Sequence, residues 1–218
     1  LALIEFQHVS FSYEGKTIIK DVSIEIEAGE YISIMGSSGS GKSTFLKLCC
    51  YLISPTEGKI MFNGVDMTQQ NPMELRKKIS YCFQTPVLFG ETVKDNLAFP
   101  YAIRKQNVDW ERVKALFSRF NMGMDYVKRD IRNLSGGEKQ RIALIRTLLF
   151  KPDILLLDEV TSALDVDNTL IVEKAIEALN REGITVLWVT HNPEQGKKYA
   201  DELLTIEDGQ IKSLEALK

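Results

Sequence analysis

Eight consecutive residues, Gly36-Ser37-Ser38-Gly39-Ser40-Gly41-Lys42-Ser43, fit the pattern G-x-x-x-x-G-K-[ST]. Such a loop turns tightly and aims several backbone N–H groups into one concavity. A helix start placed there adds partial positive charge, so the concavity favours a polyphosphate. Lys42 would neutralise the terminal phosphates, and the Ser43 hydroxyl is suited to a magnesium ion. The flanks supply the context the pattern needs. Tyr31-Ile32-Ser33-Ile34-Met35 reads as a buried strand and Thr44–Leu52 as an apolar helix. A glycine-rich turn without a ligand rarely sits between two such elements. Nucleotide binding, through Gly36 to Ser43 and on to Thr44, is therefore expected.

Two carboxylates, Asp158 and Glu159, follow the apolar run Ile154-Leu155-Leu156-Leu157. A continuous apolar run marks a strand buried on both faces of a parallel sheet, and its carboxyl end faces the ligand crevice. There Asp158 can hold magnesium, mostly through water, and Glu159 can act as general base toward an attacking water. The plain alternative is a solvated pair ending a strand, which the phosphate loop in the same chain disfavours.

A second serine–glycine turn, Leu134-Ser135-Gly136-Gly137-Glu138-Lys139-Gln140, opens another helix. As a cap, Ser135 with Glu138 three residues later makes a capping box. Two successive glycines additionally permit close approach to the backbone, which a cap alone does not require. The chain thus has two anion-ready helix starts and one acidic strand end. A head-to-tail pair of copies, each lending its second start to the other's nucleotide, would complete both sites.

These groups need a scaffold that the rest of the chain can supply. With 218 residues, 44% hydrophobic and 26% charged, the composition is that of a globular protein with one sizeable core. A formal charge of -3 argues against general nucleic-acid binding. Leu3–Tyr13 and Ile18–Ile26 alternate apolar and polar residues, as half-buried antiparallel strands do. Short strands are expected at Lys59–Phe62 and Ile79–Phe83, the latter ending at Gln84. From Thr85 to about Leu149 the chain reads as mostly helical. Within it Asp109–Phe120 has a helical apolar face at Trp110, Val113, Leu116, Phe117 and Phe120, with Asp109 as N-cap, and a last helix spans Gly137–Phe150. A helix over Asp165–Arg181, a buried strand over Ile184–Val189, a short helix over Pro193–Tyr199 and a hairpin through Asp208-Gly209 follow. The organisation expected is one domain, with residues 1–84 and 151–218 as nucleotide-binding core and 85–150 as an inserted helical subdomain. Cys49, Cys50 and Cys82 show no C-x-x-C spacing and are expected to be reduced packing residues of a cytosolic protein. No apolar run approaches the ~18 residues of a membrane span.

The phosphate loop, Gln84, Leu134–Gln140, Asp158-Glu159, Ser162-Ala163-Leu164-Asp165 and His191 stand in the order and spacing of ABC-type ATPases, which the chain resembles over nearly its whole length. The resemblance implies an α/β fold: a P-loop NTPase core with a mainly parallel sheet, an N-terminal antiparallel β subdomain and an inserted helical subdomain. It further implies ATP and Mg2+ as cofactors and a sandwich dimer, each ATP held between one copy's phosphate loop and the other's signature. By that resemblance Tyr13 stacks on adenine and Gln84 joins magnesium and senses a transmembrane partner. Leu134, Ser135, Gly136, Gly137, Glu138 and Gln140 form the signature that acts in trans, with Ser135 and Gly137 touching the γ-phosphate. Glu159 activates water, His191 links it to the γ-phosphate, and Asp165 lies at the subunit contact. Lys42 is grouped with Glu159 and His191 as catalytic.

Two positions depart from the family pattern: Val160 replaces the usual proline after the glutamate, and Asn192 the usual aspartate after the histidine. Neither removes a catalytic group. Ser80–Pro86, Leu88-Phe89-Gly90, Asp95-Asn96-Leu97 and Val186–His191 further resemble the YbbL or FetA group, ATP-binding subunits paired with a separate membrane protein and linked to iron export. The function so implied is a transport ATPase on the cytoplasmic face of a membrane, held there by its transmembrane partner through the apolar loop Thr85–Phe89. Phosphate or other solute import is the alternative within the class. A non-transport relative would need a coiled-coil insertion or second cassette, and a nucleotide-sensing module would not need Asp158, Glu159 and His191 together.

Overall fold

The structure, a computed structural model, describes residues 2–218. They divide into two compact units. The first takes the chain through Tyr81 together with Pro152–Glu159 and Leu179–Lys218; the second takes Cys82–Lys151 and Val160–Ala178.

The first unit carries two sheets. β1 (Ala2–Tyr13) and β2 (Lys16–Glu27) pair antiparallel, with Phe6 opposite Ile24 and Val9 opposite Val22. Strict alternation buries Ile4 and Phe6 but would leave Val9 on the wet face. The register shift between Phe6 and Val9, with His8 at φ 51°, returns Val9 to the core. β4 (Glu57–Phe62) and β5 (Val65–Asp66) complete this sheet in the order β2-β1-β4-β5.

The second sheet holds β3 (Tyr31–Met35), β6 (Ile79–Cys82), β7 (Ile154–Asp158), β8 (Thr185–Val189), β9 (Glu202–Glu207) and β10 (Gln210–Ala216), ordered β10-β9-β3-β8-β7-β6. β9, β3, β8 and β7 run parallel, and β10 turns back on β9. Every residue of β7 and β8 is buried, as their unbroken apolar runs require. Helix α1 (Lys42–Cys49), followed later in the chain by α2 (Pro72–Lys78), contributes Phe45, Leu46 and Leu48 to one core that includes Phe6, Ile34, Leu156 and Val189. The Phe6 and Phe45 rings stack with centroids 4.9 Å apart. α1 stops short of the expected Leu52 because Tyr51 takes a left-handed turn at φ 53°, closed by Leu52 N–H on the Lys47 carbonyl at 3.0 Å. The three cysteines are free and buried, and burial pushes Cys50 up to about 11 and Cys82 up to about 12.

In the second unit, α3 (Val93–Ile103) opens with a reciprocal Thr92–Asp95 capping box and α4 (Trp110–Arg119) with Asp109 accepting the Arg112 N–H at 2.9 Å. Val113, Leu116, Phe117 and Phe120 are buried as the periodicity predicts, but Trp110 at the first turn is 38% exposed. Asn96, fully buried, spans the loop after Gln84: its amide donates to the Phe89 and Thr92 carbonyls and its oxygen accepts the Phe89 N–H. Arg146, on α5 (Gly136–Leu148), donates to the same oxygen at 2.9 Å. α5 begins one residue before, and ends two residues before, the expected Gly137–Phe150. Further along the chain come α6 (Val166–Arg181) and, in the first unit, α7 (Pro193–Lys198). Among the described residues no helix is long and apolar enough to cross a membrane.

Candidate nucleotide site

Because β3, β7 and β8 are parallel, their carboxyl ends share one edge of the sheet, and the chain delivers chemistry to each. β3 leads into Gly36–Ser43, β7 ends on Asp158 followed by Glu159, and β8 is followed by Thr190 and His191.

The loop needs its glycines for backbone reasons. Gly36 sits at φ 151°, where a Cβ would lie 2.1 Å from the Ile206 carbonyl oxygen. Gly41, the cap of α1, is left-handed at φ 105°, and a Cβ there would meet Ile19 at 2.9 Å. Ser37, Ser38 and Gly39 are exposed, while Ser40 is buried with its hydroxyl unpartnered. No acidic residue of α1 itself occupies its first turn. Lys42 reaches back over the loop and donates to the Gly36 and Ser37 carbonyls at 3.0 and 2.8 Å. Burial lowers its pKa, against the opposite pull of the Glu159 and Asp158 carboxylates. A terminal phosphate would offer this desolvated ammonium a better partner than carbonyls.

Asp158, 7% exposed, accepts from two sides: Ser43 Oγ donates to Oδ1 at 3.0 Å and the Tyr81 hydroxyl to Oδ2 at 2.6 Å. A hydroxyl and a carboxylate side by side form a hard-oxygen pair of the kind magnesium takes, so these residues fit that ion. Tyr81 is the functional neighbour that sequence reasoning missed. Its place on a strand was legible, but the position of that strand beside β7 and the reach of its hydroxyl were not.

Glu159 is left-handed at φ 50° and its N–H donates to the Val189 carbonyl at 3.1 Å. Its Oε1 lies 2.6 Å from His191 Nε2. The turn bearing His191 is held on both sides: Thr190 donates to Gln195 Oε1 at 2.5 Å and accepts the Asn192 N–H at 3.1 Å. Asn192 caps α7 through Oδ1, accepting from Glu194 and Gln195, which an amide oxygen does as an aspartate would. The arrangement can bind a triphosphate end and position a carboxylate and an imidazole beside it. Tyr13 ends β1 and is 61% exposed, an aromatic face open to a base.

The second unit brings together the rest. Ser135 caps α5 by accepting the Glu138 N–H at 3.2 Å, and Glu138 Oε2 accepts the Ser135 N–H at 2.7 Å. Tyr126 donates to Glu138 Oε1 at 2.5 Å, and Arg129 lies over the Tyr126 ring. The Tyr126 hydrogen bond, with Ser135 and Arg129, holds Glu138 below its ordinary pKa. Ser135 and Gly136 are exposed, whereas Leu134 and Gln140 are buried and support the turn from within. A Cβ on Gly137 would touch Asn168 at 3.3 Å, and the Asn168 amide donates to both oxygens of Asp165. Asp165 stands outside α6 as its cap, accepting the Asn168 N–H at 2.8 Å. Gln84, exposed, belongs to this unit, and Val160 is buried.

A family profile described as ABC transporter matches residues 19–162. The chain is 44% identical over 206 residues to the probable iron export ATP-binding protein FetA of Escherichia coli, spanning 94% of this chain and 91% of that one. It is 33% identical over 216 residues to the phosphate import ATP-binding protein PstB 2 of Natronomonas pharaonis, across 93% of this chain and 76% of the relative. Among solved structures it is similar to the dimeric ATP-binding cassette MJ0796 in a post-hydrolysis state bound to ADP and Pi. The TM-score is 0.88 at 29% identity, covering 99% of each chain.

Proposed function

This chain belongs to the ABC transporter family of ATP-hydrolysing cassettes, and we propose that it drives a separate integral membrane protein as a head-to-tail dimer, exporting a metal, iron by preference. The observation that carries the reading is the His191–Glu159 pair, 2.6 Å apart, at the sheet edge that also holds Lys42, Ser43 and Asp158.

In this reading the loop N–H groups and Lys42 bind the β- and γ-phosphates, and Tyr13 stacks on the adenine. Ser43 and Asp158 would hold Mg2+, which when bound neutralises charge on the transferred phosphoryl group. Glu159 takes the proton of the attacking water as its oxygen bonds to the γ-phosphorus and the bond to ADP breaks. His191 donates to Glu159 or to the γ-phosphate and so fixes the carboxylate against the phosphoryl group. The second copy's Ser135, Gly136 and Gly137 close the site over the γ-phosphate through the positive end of α5, with Asp165 at the contact between copies. The helical subdomain, residues 85–150, then relays closure to the membrane partner through Gln84 and the loop after it. The protein thus works from the cytoplasmic face of the membrane.

The likeness to FetA supports metal export and the likeness to PstB 2 supports solute import. Affinity purification of the chain from detergent-solubilised membranes separates them. Export predicts one kind of membrane subunit, with seven helices, and metal efflux lost on its deletion. Two distinct membrane subunits would contradict export and establish the importer.

A further inference from the structure

Asp158 has a second holder besides Ser43. Ser43 Oγ and Tyr81 Oη each donate to a different oxygen of the same buried carboxylate, at 3.0 and 2.6 Å. Tyr81 is half-buried, on a strand whose backbone leads toward Gln84 three residues later. A carboxylate held at both oxygens has one orientation. One held at a single oxygen keeps rotational freedom about its terminal torsion, which is broad and roughly two-fold.

A serine hydroxyl carries one proton and two lone pairs, so Ser43 could offer its oxygen to magnesium and still donate to Oδ1. The Tyr81 phenol donates to Oδ2, the other oxygen of the same carboxylate. A phenol is suited to this: its ring is rigid, its O–H is a good donor to an ionised acceptor, and short bonds of this kind are the strong ones. Partners that orient metal-holding carboxylates from behind commonly govern metal affinity.

We propose that Tyr81 is a positioning residue for nucleotide-bound magnesium, fixing the Asp158 carboxylate from its second oxygen while Ser43 holds the first. The inference rests on the reading of Asp158 as the magnesium carboxylate. It assigns Tyr81 no contact with nucleotide, metal or water.

Tyr81→Phe removes one oxygen and keeps the ring that fills the site. Calorimetry on the Glu159→Gln protein, which holds nucleotide without turnover, would compare affinity for MnATP with affinity for ATP in EDTA. With Y81F added, MnATP affinity falls about tenfold while affinity for ATP in EDTA is unchanged. Equal losses in both would overturn the proposal by showing a general structural role, and so would no loss in either. Asp158→Asn in the same background separates the premises. If D158N weakens MnATP and Y81F does not, Tyr81 is excluded while Asp158 stands. If D158N leaves MnATP affinity unchanged, the reading of Asp158 falls and the proposal with it.

Discussion

His191 Nε2 lies 2.6 Å from Glu159 Oε1, and the two residues follow neighbouring parallel strands. Glu159 is left-handed at φ 50°, a conformation that costs a non-glycine residue on the order of 1–3 kcal/mol and persists only where the surroundings enforce it. Here they do: its N–H is tied to the Val189 carbonyl and its side chain to the imidazole of His191, on a turn that Thr190, Asn192 and Gln195 tie together. Strain placed on a carboxylate beside a phosphate loop belongs to a group whose position matters more than its stability.

Glu159→Gln keeps the shape and removes the base. Steady-state ATP hydrolysis should fall roughly a hundred- to ten-thousand-fold with ATP still bound. His191→Ala should also lose turnover, and the double variant should be little worse than the poorer single one, since the two act as a unit. Phosphate release assays on the three variants check this. Additive losses would separate the residues.

The start of α5 carries a pH signature. Glu138 has its pKa lowered from 4.5, first by the Tyr126 hydroxyl and then by Ser135 and Arg129. A depressed carboxylate contributes stability that is fully present above its unfolded value and is lost as pH falls through the folded one. Thermal melting of the wild-type protein should therefore weaken as pH drops below about 4.5. Glu138→Gln, which still serves a capping box, should show a shallower decline over that range. Parallel curves would remove Glu138 from the acid transition.

Much of this was legible before any coordinates because the signals are backbone signals. Gly36 is dictated by its φ and by the Ile206 carbonyl that a Cβ would strike, Gly41 by its φ, and the Ile154–Leu157 run has the unbroken apolar character of a strand buried on both faces. Ser135 and Glu138 announce their own capping box. What the sequence hides is reach across the sheet. Nothing in Ser80-Tyr81-Cys82 says that the phenol meets Asp158 seventy-seven residues later. Trp110 misled because the first turn of a helix can leave the stripe it belongs to unburied. Tyr126 and Arg129, which steady Glu138, sit in a 3₁₀ turn and after it, where no periodicity marks them.

The shared site is the centre of the account, and a mixed dimer tests it. Ser135→Phe should cripple the site that a copy completes for its partner, and Glu159→Gln the site on its own phosphate loop. Each homodimer should be inactive. A heterodimer of the two, isolated through separate tags after co-expression, retains one site with intact Glu159 and intact Ser135 and should hydrolyse ATP well above either parent. A heterodimer as inactive as its parents would contradict the head-to-tail arrangement.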